Sequence, residues 1–385
     1  MRLPVTAFCM LLLLNLSACG QNENKASTEE VNDKETPSIA ATYGHEVIMP
    51  HPDILWGMDF LPDGSMLITE KEGNIIHFIN GEKIPVEGVP EILVQGQGGL
   101  MDIAMDPKYE ENGWIYFTYA SSEGEGDGGN TAVMRAKLEN NELVNKEKLY
   151  KAVPNSTAGQ HFGSRIAFKD GYLFFSVGDR GNREENPQDI TRDGGKIYRL
   201  NRDGSIPEDN PFTDVENAKK AIFSYGHRNP QGMTKNPETG EIWVHEHGPQ
   251  GGDEINIIQK GANYGWPLVT YGINYNGTSI TEETSGPEFE DPIKYWVPSI
   301  APSGMTFVTS DKYPELKGDL LVGSLKFMYL EHLTVDGNEV STRKKLLEGI
   351  GRVRDVKQAP DGNIYLSVEG VGIVKLINEN QENKE

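Results

Sequence analysis

From Trp56 onward, short apolar runs alternate with clusters of Gly, Asp, Asn and Pro, and long heptad or 3.6-residue patterns are scarce. Runs of this length, bounded by turn residues, predict β-strands and an all-β fold. One unit recurs: a short strand, an acidic turn, then a strand rich in aromatic and β-branched residues. It appears from Trp56 to Glu70, and from Gly99 to Pro107 followed by Trp114 to Tyr119. Further copies run from Gly163 to Val177 and from Gln231 through Gly240 to His245. The last two run from Ser303 to Asp311 with Asp319 to Gly323, and from Val353 to Val368. The acidic turn residues are Asp63, Asp106, Asp170, Glu238, Asp311 and Asp361, spaced 43 to 73 residues apart. Six such copies predict a six-bladed β-propeller, in which each blade hides its sheet faces against its neighbours. A β-sandwich with frequent Asp-Gly turns is the competing fold, but it does not demand the same strand–turn–strand order six times.

The ends differ from this pattern. Met1 and Arg2 precede a short apolar run from Val5 to Leu14, which has the proportions of a signal-peptide core. Leu16, Ser17, Ala18 and Cys19 then resemble a bacterial lipobox. The expected organisation is a lipoprotein signal peptide over 1–18, a disordered tether over 19–44, the propeller over 45–378 and a polar tail over 379–385. The protein is expected to be exported and held on a bacterial membrane, at the periplasmic face or cell surface, through lipid on Cys19 alone. The other cysteine, Cys9, lies in the discarded segment, so the mature domain has none for a disulfide, a zinc-thiolate site or a nucleophile. A formal net charge of −22 argues against nucleic acid as a partner.

The repeats also act as a ruler. Nine residues before each acidic turn stand Ile54, Gln97, His161, Asn229, Pro302 and Arg352. Equivalent positions of a propeller form a ring around its axis. The second strand of each unit returns antiparallel, so its far end reaches the same face. Those ends carry Asp179, His247 to Pro249, and Lys326. One polar cluster at one channel mouth is therefore expected, with Gln97, His161, Arg228, Asn229, Lys326, Arg352 and Arg354, and Asp179 beside it. Four cations gathered in an acidic protein suit a ligand with several carboxylates. His161 is the candidate base, and Asp179 is placed to hold its imidazole in one tautomer. A purely structural hydrogen bond is the plainer reading of His161.

Other signals are weaker. Two histidines in His245-Glu246-His247 are slight grounds for zinc. The stretch from Gly251 to Glu254 and the later Tyr264 offer hard oxygen ligands suited to calcium, or else form a plain turn.

Several ordered motifs carry a family resemblance. Ser224 to Met233, Glu246 to Asn256, Asn263 to Pro267, Gly96 to Leu100, His161 to Gly163 and Arg352 to Arg354 resemble the pyrroloquinoline-quinone-dependent aldose sugar dehydrogenases. The likeness runs from about Trp56 to Leu376. It implies a six-bladed propeller whose cofactor lies over the channel, and oxidation of an aldose at its anomeric carbon to the lactone, with hydride passing to the quinone. It implies His161 as general base, and Gln97, Arg228, Asn229, Tyr275, Lys326, Arg352 and Arg354 as quinone-binding residues. Arg228 would also steady negative charge on the quinone oxygen, and Asp179 would support the base. The carbonyls of Gly248 and Pro249 match ligands of a cofactor-bound Ca2+. Glu254 and the carbonyl of Tyr264 match a second, structural Ca2+. A respiratory electron acceptor is the implied partner. Gln160 stands where glucose-preferring relatives carry an acidic residue, which favours a broader aldose range. A calcium-dependent propeller lactonase is an alternative, but it needs acidic side chains around its metal, and this mouth is mostly cationic. A non-catalytic surface-anchored binding protein is another, in which His161 is dispensable.

Overall fold

The computed structural model describes residues 42–382, which are almost entirely strand and turn. Six four-stranded antiparallel sheets are arranged as blades. Their innermost strands are Leu55–Phe60, Leu100–Met105, Ile166–Lys169, Pro230–Lys235, Pro302–Phe307 and Val353–Gln358. Each packs against the innermost strand of the next blade, and the last packs against the first. The fold is a six-bladed β-propeller.

The sixth blade is completed from the other end of the domain. Tyr43–Pro50 pairs antiparallel with Gly372–Asn378 as its outermost strand. The domain therefore begins ahead of the expected residue 45, because Tyr43 and Gly44 are in register with Asn378 and Ile377. Glu379–Glu382 forms a helical turn, and the Glu379 amide donates to Thr42 O at 3.0 Å. The signal, lipid and most of the tether readings fall outside the described residues.

Packing explains why the inner strands read as nearly continuous apolar runs. Side chains alternate across a strand, so each sheet presents one set to the blade before it and one to the blade after. Met66 and Ile68 pack with Met49 and Ile373 of blade six, whereas Leu67 packs with Leu100 and Ile103 of blade two. Likewise Leu173 and Phe175 meet blade two, and Phe174 meets Val244 of blade four. Six apolar clusters result, one in each seam between blades. A strand buried on both faces has no polar side to show in sequence.

The channel itself is polar and is crossed by Arg165. Its Nη1 donates to Asp102 at 2.9 Å and lies 3.0 Å from Asp355. Its Nε donates to Gln231 O at 2.8 Å and its Nη2 to Arg354 O at 3.0 Å. The guanidinium also lies 4.3 Å from the Trp56 ring centroid. One side chain from blade three thus touches blades one, two, four and six. Both carboxylates are used on their other oxygens as well, by the amides of Ile166 and Met58. Burial pushes the Asp355 carboxyl up, and Arg165 opposes that rise.

Removing one member of a buried ion cluster leaves the others uncompensated, at a cost of about 3–5 kcal/mol. Arg165→Met is expected to lower unfolding free energy by about that amount in equilibrium urea denaturation. A loss below about 1 kcal/mol would show that the channel cluster does not hold the blades together.

Candidate active site

A cavity of 690 Å³ opens at the channel end where the innermost strands begin. Ile54, Gln97, Asn229 and Arg352, which precede those strands, line it. Lys71, His247 and Lys326, which follow the second strands of their blades, line it too. Trp56, Met101 and Phe162 give it an apolar part, packed as one buried cluster. Close approach is needed here: a Cβ on Gly98 would lie 2.5 Å from the Phe162 ring.

His161 stands at the edge of this cavity, next to the lining residues Phe162 and Gly163. Its Nδ1 lies 2.6 Å from Asp179 Oδ1, and its side chain keeps 14% exposure. Asp179 also accepts from the Trp266 indole at 2.9 Å and from the Gly181 amide at 2.7 Å. Asp179 is buried, and its pKa is lowered despite that burial, with the His161 bond the chief opposing cause. An ionised carboxylate only accepts, so Nδ1 carries the hydrogen and Nε2 keeps a free lone pair. Burial lowers the His161 pKa, against a rise from the Asp179 hydrogen bond, and the charges of Arg228 and Arg180 lower it further. The ring is therefore neutral above its ordinary value near 6.5.

The backbone here is strained. His161, Ser164 and Arg180 have φ of 58°, 100° and 55°. Such conformations cost roughly 1–3 kcal/mol each and persist only where surrounding contacts fix them. Those contacts are present. The His161 amide donates to Gln97 Oε1 at 2.8 Å, and the Gly163 amide donates to Asn229 Oδ1 at 3.1 Å. Arg180 donates to the carbonyls of Gln160 and Ala158 and stacks 3.4 Å from the Phe162 centroid.

The cations of the mouth are held in different ways. Arg228 Nη1 donates to His247 O at 2.9 Å and Gly248 O at 2.7 Å. Arg352 and Arg354 both donate to one carboxylate, Glu369, whose pKa they lower against the effect of burial. Lys326 lies 5.2 Å from the Phe327 ring centroid. Tyr275 lines the cavity with 76% exposure. Pro249 and Gly248 line it as well.

Glu254 and Tyr264 meet in a separate small cavity of 10 Å³, beside Glu246, Gly248 and Arg228. Burial, then the charge of Glu246, push the Glu254 carboxyl well up. Asn256 Oδ1 is buried without a hydrogen-bond partner. The Tyr264 hydroxyl is engaged with Ile257 O at 2.6 Å and the Gln259 amide at 2.8 Å, which leaves its carbonyl as the available ligand. His245 and His247 face the carbonyls of Ser303 and Pro302 in the next blade, so they do not converge on a common point.

Residues 49–375 match the family model described as "Glucose / Sorbosone dehydrogenase". The chain belongs to the glucose/sorbosone dehydrogenase family. It is 40% identical over 335 residues to aldose sugar dehydrogenase YliI of Escherichia coli, covering 85% of this chain and 90% of that protein. It is 29% identical over 411 residues to quinoprotein glucose dehydrogenase B of Acinetobacter calcoaceticus, covering 85% and 84%. The apo-form structure of the soluble E. coli aldose sugar dehydrogenase superposes with a TM-score of 0.85 at 38% identity, covering 88% of this chain and all of that one. A PQQ-bound aldose sugar dehydrogenase from Streptomyces coelicolor gives 0.72 at 26% identity, covering 87% and 98%. The chain is an oxidoreductase of the aldose and glucose dehydrogenase kind.

Several residues of the cavity and its rim escape the sequence reading. Lys71, Glu369, Trp56 and Phe162 are among them. The ends of the second strands pointed to Asp179, His247 and Lys326, and the same rule applied to the first and sixth repeats gives Lys71 and Glu369. Trp56 and Phe162 are apolar, and nothing in their pattern separates them from core residues.

Asp179→Asn removes the interaction that raises the His161 pKa. The expected result is a His161 imidazole that titrates lower still in NMR of the ligand-free protein. An unchanged titration would mean that the carboxylate does not govern the ring.

Proposed function

We propose that this enzyme oxidises aldose sugars at the anomeric carbon to the lactone, with pyrroloquinoline quinone and Ca2+ as cofactors. The observation that carries this reading is the His161–Asp179 pair, with Nε2 free, at the edge of a cation-lined cavity. Two relatives support the cofactor, one named a quinoprotein and the other solved in a PQQ-bound form.

The donor set fits the quinone. A cavity of 690 Å³ suits a ligand of that size. Among the described residues, Arg352 and Arg354 have nitrogens left over from Glu369, and Arg228 uses only Nη1 on protein acceptors. With Lys326 they would hold the carboxylates, while Gln97, Asn229 and Tyr275 would fix orientation. The second calcium position fits as well, because a cation there offsets the crowding of the Glu254 and Glu246 carboxylates. At the first, Gly248 O already accepts from Arg228, and its second lone pair with Pro249 O would meet the metal.

When bound, the quinone supplies a two-electron acceptor for the hydride on C1. His161 Nε2 takes the proton of the anomeric hydroxyl, and Asp179 stabilises the imidazolium that results. Arg228 offers positive charge where negative charge develops on the acceptor. Trp266 keeps Asp179 in place through its indole. Gln160 offers no carboxylate to select one sugar, so several aldoses are expected as substrates. We also propose export with a lipid on Cys19 and delivery of electrons to a respiratory acceptor. Among the described residues no helix is long and apolar enough to cross a membrane.

Reconstitution tests this reading. Protein stripped with chelator, then given quinone and calcium, is expected to reduce a dye acceptor with several aldoses. His161→Ala is expected to bind quinone normally and turn over about 10²- to 10⁴-fold more slowly. Stoichiometric quinone binding without dye reduction by any aldose would overturn the proposed activity, and full turnover by the variant would remove His161 from it.

A further inference from the structure

Lys71 is a cavity-lining cation to which no role has been given. It immediately follows the second strand of blade one, and Lys326 comes two residues after the second strand of blade five. Its main chain is pinned on both sides. The Lys71 amide donates to Ile54 O at 3.0 Å, and the Leu100 amide donates to Lys71 O at 3.0 Å. Gly99 clears the space for it: a Cβ there would lie 2.1 Å from Lys71 O and 2.9 Å from Lys71 Cγ. The last glycine of the Gly96–Gly99 stretch is thus required by the seat of this lysine.

Among the described residues the ammonium lacks a good partner. Its side chain is 15% exposed, and the nearest carboxylate is Glu72 at 3.7 Å, itself 61% exposed. That distance is too long for a hydrogen bond, and an exposed pair of this kind contributes little. The three arginines of the mouth differ. Arg352 and Arg354 are tied to Glu369, and Arg228 to two carbonyls. A lysine side chain this far covered, with no acceptor within hydrogen-bond distance among the described residues, favours an anion that arrives with the ligand.

We propose that Lys71 binds a carboxylate of the quinone, as a fifth cation of its site. This rests on the quinone reading above. A charge-assisted hydrogen bond of this kind is worth roughly a tenfold or greater change in affinity. Quinone binding to the purified protein, with calcium present, can be followed by quenching of tryptophan fluorescence. Lys71→Met is expected to raise the quinone Kd about tenfold or more, and Lys71→Arg to restore it to within a few-fold. An unchanged Kd in Lys71→Met overturns the proposal. So does a raised aldose KM at unchanged quinone Kd, which would place Lys71 on the sugar. Failure of Lys71→Arg to recover affinity would assign the loss to packing instead. Absence of quinone binding by the parent protein would sink the quinone reading as a whole, and is distinguishable from the other results.

Discussion

Arg165 is the interaction on which the arrangement of blades depends. Apolar seams hold each blade to its neighbours, but they are local and similar to one another. The guanidinium spans the channel, joining Asp102, Asp355, Gln231 O, Arg354 O and the Trp56 ring. Three of these contacts belong to residues that line the cavity, Trp56, Gln231 and Arg354. The same cluster that fixes blade positions therefore fixes the inner wall of the site. Desolvating these charges is expensive, and complete pairing is what makes it tolerable.

Asp179 plays the corresponding part at the rim. It holds the His161 ring, the Trp266 indole and the Gly181 amide at once, and its own amide and carbonyl bond to Arg228 O and the Asn186 side chain. Positive φ at His161 and Arg180 shows that the chain is bent to reach this geometry. A strained loop stays in place only because rigid blades surround it.

Much of this was legible in the sequence, for a physical reason. Inner strands such as Met66–Glu70 and Tyr172–Val177 are buried and apolar, so their repeats survive divergence and can be aligned by eye. The phase of that alignment carried Gln97, Asn229 and Arg352 to one cavity. Outer strands were not legible. Glu142–Lys151 and Glu339–Leu346 are largely exposed, and their charged residues carry no apolar pattern that marks a strand. The strand Tyr43–Pro50 was hidden for the same reason: its pattern is mostly exposed or half-buried, and its partner lies at the far end of the domain. Arg165 could not be found by the ruler, because its partners come from four other blades and no local spacing encodes them. The pairing of Arg352 and Arg354 with Glu369 was equally invisible, since 17 residues separate Arg352 from its partner.

The most direct test of the central claim is a single-turnover experiment. Protein carrying stoichiometric quinone and calcium is mixed with an aldose in the absence of any acceptor, and the quinone absorbance is followed in time. The expected result is complete reduction of the bound quinone, slower when C1 of the sugar carries deuterium and slower again in His161→Ala. Bound quinone that stays oxidised with every aldose tried would contradict the proposed chemistry.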